Sequence, residues 1–294
     1  MSSFLVAGAT GKQGGAVVDA LLNTSPTPTV KALTRNTESP AASALKARGV
    51  TLVKGNLNDK ESLIKALSGV DGAFLATDFS KDGVEGEVVQ GKTFVDAFKA
   101  SSAKHLLFSS VGSSDVAKSV PHFNSKNQIE EYLTANIDGN KQVWTILRPV
   151  AFMDNFPVAS AVGTTAAATF FRALMDTETK LQWIACRDIG TVSAKILTSG
   201  PQSKWIGKRI ELAGDYKKYS EVIDTLGQVG GGKPWVIPLP RFLVQKIGGF
   251  DLSEMFRFFN AKGYSADIPS LRQDFPDLYT WKEYIQNTQS KAKA

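Results

Sequence analysis

The stretch that most restricts the fold is Phe4-Leu5-Val6-Ala7 followed at once by Gly8-Ala9-Thr10-Gly11-Lys12-Gln13-Gly14-Gly15. A short apolar run ending on glycine reads as a buried strand entering a tight turn. Gly14–Leu22 then carries Val17, Val18, Leu21 and Leu22 at helical spacing. Glycines between a strand and a helix answer a physical demand. One makes the turn, one lets the backbone approach a pyrophosphate, and one lets helix and strand pack closely. The helix tip supplies N–H donors to the anion. Gly8, Gly11 and Gly14 take these roles, and Thr10, Lys12 and Gln13 offer further donors.

Strand and helix signals then alternate. Val30–Leu33, Thr51–Lys54, Gly72–Ala76, Lys104–Ser109 and Val143–Leu147 read as strands, with Ala41–Arg48, Lys60–Leu67, Val88–Ala100 and Gln128–Ala135 as helices. This order implies a parallel sheet with right-handed crossovers and helices on both faces. The fold class is therefore α/β, a doubly wound parallel Rossmann sheet, with residues 1–152 as its domain. Beyond Pro149 the rhythm breaks into Gly- and Ala-rich stretches and aromatic clusters such as Phe256-Arg257-Phe258-Phe259. Residues 153–182 and 214–294 are expected to form a smaller α+β lobe, with 183–213 returning a helix and a strand to the sheet.

In such sheets ligands sit beyond the C-terminal strand ends. An acid at the end of the second strand would accept from a ribose 2′-OH and repel a 2′-phosphate, but this chain reads Thr34-Arg35-Asn36 there. A guanidinium grips phosphate through paired donors, so Arg35, with Asn36 beside it, predicts NADP(H) rather than NAD(H). Asn56 after the third strand and Thr77-Asp78-Phe79 after the fourth belong to the same rim, although Asn and Asp also serve ordinary turns.

Composition narrows the class further. The chain has 294 residues, 43% of them hydrophobic, enough for a sizeable core. No apolar run approaches the roughly 20 residues that span a bilayer, and no basic and hydrophobic leader opens the chain. The single cysteine, Cys186, and the two histidines, His105 and His122, exclude an internal disulfide and a structural zinc. A cytoplasmic protein is expected, with the nucleus also open to it. The net charge of +6 is scattered along the chain, which argues against direct nucleic-acid binding. Gly227–Pro234 comes close to a P-loop, but Pro234 stands where a Ser or Thr would hold magnesium, and a helical segment precedes it; it reads as a surface loop.

Chains of this architecture resemble the short-chain dehydrogenase/reductase superfamily, in which a Tyr-x-x-x-Lys pair opens the helix after the fifth strand. No tyrosine here has a lysine four residues on. The matching segment is Pro121-His122-Phe123-Asn124-Ser125-Lys126, with histidine in the tyrosine's place. With Gln90-Gly91-Lys92, Asp154-Asn155, Asp251-Leu252 and Met255-Phe256-Arg257-Phe258, the chain resembles the NmrA-like family, atypical members of that superfamily, and within it the redox-sensor branch. The resemblance implies NADP binding through the glycine loop, Arg35, Thr77–Phe79, Lys126 and Phe152–Asn155. It also implies that many relatives read the NADPH/NADP balance or act through a regulatory protein partner without turning over a substrate.

Two functions remain open on the sequence. In one, the missing tyrosine removes the proton relay, and the bound nucleotide biases states that a partner distinguishes. In the other, Lys126 or His122 supplies the proton, and a small-molecule carbonyl, imine or enone is reduced. Ser109 and Ser110 end the fifth strand where the superfamily keeps a catalytic hydroxyl, although serine there is also ordinary turn chemistry.

Overall fold

The computed structural model describes residues 2–229 and 232–293, the side chains of 291–293 excepted. Two units emerge. The first comprises Met1–Asp115, His122–Arg148 and Ile189–Ile210; the second comprises Val116–Pro121, Pro149–Asp188 and Glu211–Ala294.

The first unit is built on β1 (Ser3–Ala7), β2 (Thr29–Thr34), β3 (Thr51–Lys54), β4 (Gly72–Ala76), β5 (His105–Ser109) and β6 (Val143–Pro149). With β9 (Arg209–Leu212) they form one sheet in the order β3-β2-β1-β4-β5-β6-β9, and the pairings from β3 to β6 are all parallel. Leu5, Val6 and Ala7 are fully buried, as required of a central strand covered on both faces. Strand order reverses between β1 and β4, which opens the crevice where such sheets bind ligands.

Helices α1 (Lys12–Leu22), α2 (Pro40–Ala47), α3 (Lys60–Ala66), α4 (Gly83–Lys99), α5 (Pro121–Asn136) and α7 (Cys186–Thr198) cross between the strands or pack on them. α1 buries Gly14, Val17, Val18 and Leu21, a stripe at helical spacing. α7 lies against it: a Cβ on Gly190 would fall 2.2 Å from the Ala16 carbonyl oxygen. Phe94 and Phe98 of α4 and Ile129 and Leu133 of α5 share the opposite core with Leu5, Leu75 and Phe108.

Two helices start earlier than their apolar periodicity suggests. α5 begins at Pro121, well before residue 128, because proline is favoured in a first turn, where its missing N–H leaves no gap. Its buried face includes Ser125, Asn127 and Glu130, so polar residues hide the helical stripe from a hydrophobicity pattern. α4 likewise starts at Gly83 and buries Glu87.

The second unit holds a three-stranded sheet, β10 (Asp215–Lys218), β8 (Lys180–Ile184) and β7 (Ala151–Phe152), in that order. β8 thus pairs with β7 and β10, so residues 183–188 belong to this unit, and the return to the first begins at Ile189 rather than at 183. Residues 149–152 also fall in the second unit rather than the first. Around this sheet lie α6 (Ala161–Leu174), α8 (Tyr219–Val229), α9 (Arg241–Ala261), α10 (Ile268–Asp274) and α11 (Trp281–Lys293). Phe156, Phe171, Trp183 and Trp281 meet in tilted and edge-to-face contacts, with ring centroids 4.9–5.9 Å apart, and Phe256 adds a further edge on Phe171. Phe258 and Phe259 are buried, whereas Phe250, beyond the kink at Gly249, is exposed. Gly227–Val229 end α8, and the P-loop-like stretch continues through residues 230 and 231, which lie outside the described residues. Among the described residues no helix is long and apolar enough to cross a membrane.

Candidate functional site

The parallel pairing carries every strand-end loop of the first unit to one edge. The glycine loop follows β1, Arg35 and Asn36 follow β2, Asn56 follows β3, and Thr77–Phe79 follow β4. Gly8 adopts φ +85° and its carbonyl accepts from the Gly11 N–H at 2.9 Å, which closes the turn. A Cβ on Gly14 would sit 2.2 Å from the Gly8 carbonyl oxygen, so only glycine lets α1 approach the strand. A Cβ on Gly11 would meet nothing nearer than that same oxygen, at 3.3 Å, and Thr10, Gly11 and Lys12 are exposed. Helix geometry directs the first-turn N–H groups of α1 out of its end, and no side chain caps it at Gly11. The donor set and the open glycine surface fit a pyrophosphate.

Arg35 is exposed one residue past β2. The Asn36 side-chain oxygen accepts from Glu38 N–H at 2.9 Å, and that of Asn56 accepts from Asn58 N–H at 3.2 Å. Asp78 likewise accepts from the N–H and hydroxyl of Ser80. These three acceptors serve their own turns. Phe152 lies in β7 and Asn155 in the 3-10 turn Met153–Asn155, both in the second unit. In the same unit the Asp154 carboxylate accepts from the Cys186 N–H at 2.8 Å.

At the end of β4 a buried polar cluster forms that the sequence did not announce. The Lys126 ammonium lies 2.7 Å from Glu87 Oε1 and 2.8 Å from both the carbonyl and the hydroxyl oxygen of Thr77. Its three N–H donors face three acceptors. Thr77 Oγ1 donates to Glu87 Oε1 at 2.9 Å, and Ser125 Oγ donates to Glu87 Oε2 at 2.5 Å. Glu87 is completely buried, and Lys126 is 13% exposed. Gly91 makes this possible: a Cβ there would lie 2.5 Å from Ile129, so α4 and α5 close up one turn beyond Glu87 and Ser125. Removing one member of such a pair costs about 3–5 kcal/mol, because the other charge is left buried alone.

His122 shares α5 with Lys126 and stacks on Phe79, with centroids 5.1 Å apart and 26° between planes. The two serines at the end of β5 are engaged. Ser109 Oγ donates to Gln13 Oε1 at 2.6 Å, and Ser110 Oγ donates to Glu130 Oε1 at 2.5 Å. Glu130, 1% exposed, also accepts from Ser114, from Arg148 in a bidentate pair and from Arg209. Sequence reading missed both Glu87 and Glu130. A signal existed for Glu87, which stands on the stripe of Gly91, Phe94, Val95 and Phe98 at helical spacing, where an acid is out of place.

A parallel sheet reversed at β1/β4, a glycine turn on a helix tip and a Lys-bearing helix after the fifth strand define a Rossmann-type dinucleotide-binding domain. The chain belongs to the NmrA-like family, whose model matches residues 1–285. An NmrA-like family domain-containing oxidoreductase of Aspergillus flavus is 27% identical over 252 residues, 79% of this chain and 74% of the relative. Quinone oxidoreductase 2 of Escherichia coli is 29% identical over 212 residues, 71% of this chain and 68% of the relative. Among solved structures, Citrobacter sp. triphenylmethane reductase complexed with NADP(H) matches with a TM-score of 0.78 at 22% identity, covering 99% of both chains. NmrA, a negative transcriptional regulator, matches with a TM-score of 0.77 at 19% identity, covering 99% of this chain and 96% of that one.

Proposed function

We propose that this chain binds NADP(H) and acts as a regulatory binder that reads the nucleotide's redox state. The glycine loop and the α1 tip take the diphosphate, and Arg35 takes the 2′-phosphate. The observation that carries the regulatory reading is the engagement of the groups around the missing tyrosine. Ser109 donates to Gln13, Ser110 to Glu130, and the Lys126 ammonium faces Thr77 and Glu87. A ketone reductase needs a proton donor aimed at the developing alkoxide. Here Lys126 serves as a held cation. The likeness of fold to a transcriptional regulator is in keeping with action through a protein partner.

A second reading is favoured by His122, half-buried rather than enclosed, and by relatives named as oxidoreductases. NADPH, when bound, supplies a hydride. A dye cation becomes neutral on taking that hydride and needs no proton, and a quinone becomes a hydroquinone anion that His122 or water can protonate afterwards.

Calorimetry with NADPH and NADH tests the nucleotide site, and no uptake at millimolar concentration overturns it. Incubation with NADPH and a panel of quinones, ketones and imines separates the two functions. The regulatory reading expects no sustained NADPH consumption, together with a pull-down that changes on adding the nucleotide. Steady turnover that is lost in Lys126→Ala or His122→Phe establishes the reductase instead.

A further inference from the structure

The Glu87–Lys126 pair stands on the far side of the glycine loop from Arg35. Arg35 follows β2 and Thr77 follows β4, and in the sheet these strands flank β1, from which the loop springs. The edges are close: a Cβ on Gly8 would lie 3.2 Å from the carbonyl oxygen of Ala76, the residue before Thr77. A dinucleotide with its diphosphate on the α1 tip and its 2′-phosphate on Arg35 extends its other half over the β4 side. That half carries the nicotinamide. The oxidised ring bears a positive charge and the reduced ring none.

We infer that Glu87 is a positioning residue that sets how the chain discriminates NADPH from NADP+, by cancelling and fixing the charge of Lys126 at the β4 edge. The inference rests on the nucleotide reading above. A lone ammonium there would repel the oxidised ring and leave the reduced ring unaffected. A carboxylate 2.7 Å away turns that charge into a dipole whose field falls off steeply. Glu87 suits this task because its own charge is held by donors on both oxygens, Thr77 and Lys126 on one and Ser125 on the other. Full burial also keeps water from screening it.

The test measures Kd by calorimetry for NADP+, NADPH and adenosine 2′,5′-bisphosphate, which lacks the nicotinamide half, on wild type, Glu87→Gln and Lys126→Met. Glu87→Gln is expected to weaken NADP+ relative to NADPH by about three- to tenfold, the effect of one partly screened charge several ångströms away. Lys126→Met is expected to move the ratio the other way. Adenosine 2′,5′-bisphosphate should bind Glu87→Gln as it binds wild type, a result that a general loosening of the domain would not give. A ratio unmoved in both variants, with adenosine 2′,5′-bisphosphate still bound, overturns the inference and spares the nucleotide site. A bisphosphate affinity that falls in step with both dinucleotides also overturns it. If Glu87→Gln does not fold, Lys126→Met decides by the same ratio. Wild type that takes up none of the three compounds removes the nucleotide reading and this inference with it.

Discussion

The Ser109 hydroxyl donates to the Gln13 side-chain oxygen at 2.6 Å and so ties the end of β5 to the first turn of α1. A strand-end serine that could have faced a substrate instead steadies the helix tip. The same economy recurs around the rim, where most polar groups near the missing tyrosine hold other protein groups in place.

Arg35 is the exposed cation at the β2 end, and its replacement should act on one nucleotide. Arg35→Asp is expected to weaken NADPH about ten- to a hundredfold or more while holding or improving NADH, from the loss of charged hydrogen bonds and the repulsion of the 2′-phosphate by the new carboxylate. Parallel titrations with the two nucleotides check this, and equal losses would remove Arg35 from the phosphate site.

Gly14 has no room for a methyl group, since its Cβ would lie 2.2 Å from the Gly8 oxygen and 2.4 Å from the Gly8 carbonyl carbon. The obstacle is the Gly8–Ala9 peptide itself, which cannot rotate away as a side chain could, so Gly14→Ala should destabilise the first unit by about 1–3 kcal/mol or more. Urea unfolding measures the loss, and NADPH affinity should fall with it. Gly11→Ala, whose Cβ approaches only one oxygen at 3.3 Å, should keep stability and lose nucleotide affinity.

Glu130 is the anion shared by Arg148 and Arg209, and Arg148 is itself nearly buried. Glu130→Ala leaves a buried guanidinium with only the exposed Asp115 for a counter-charge. A loss of about 3–5 kcal/mol in chemical denaturation is expected. A loss below about 1 kcal/mol, the range of a surface pair, would refute the importance assigned to this network.

His105 gives stability a pH dependence of definite sign. Thr145 Oγ1 donates to the Trp205 carbonyl, so His105 Nε2, 2.9 Å from that hydroxyl, is the donor between them, and Nδ1 stays bare and buried. Burial lowers the His105 pKa from 6.5 to about 4. The unfolded chain therefore binds a proton that the folded state refuses. Stability present above pH 6.5 is lost as pH falls toward 4, by about 3 kcal/mol in all. Asp188 has the opposite sign: burial pushes its carboxyl up to about 6, so its penalty is present above that pH and fades as pH falls to 3.8. Unfolding curves of His105→Gln and Asp188→Asn against wild type between pH 4 and 7 should separate the two slopes.

Local chemistry made much of this protein readable in one dimension. The apolar runs of β1, β4 and β5 are continuous because both faces of those strands are covered, and Gly8 and Gly14 mark a turn whose positive φ and close helix approach exclude a side chain. Arg35 could be placed because it lies one residue past a strand whose end was recognisable. What stayed hidden depends on distance in space. Whether Glu87 and Glu130 are solvated or buried turns on how closely α4 and α5 approach, which Gly91 and Ile129 decide. Whether Ser109 is a catalytic hydroxyl or a brace turns on Gln13, far away along the chain. β8 is not among the strand signals legible in the sequence, and its pairing with β7 and β10 assigns it to the small sheet. A sequence records which groups can donate, accept or carry charge, and packing determines which of them are left for a ligand.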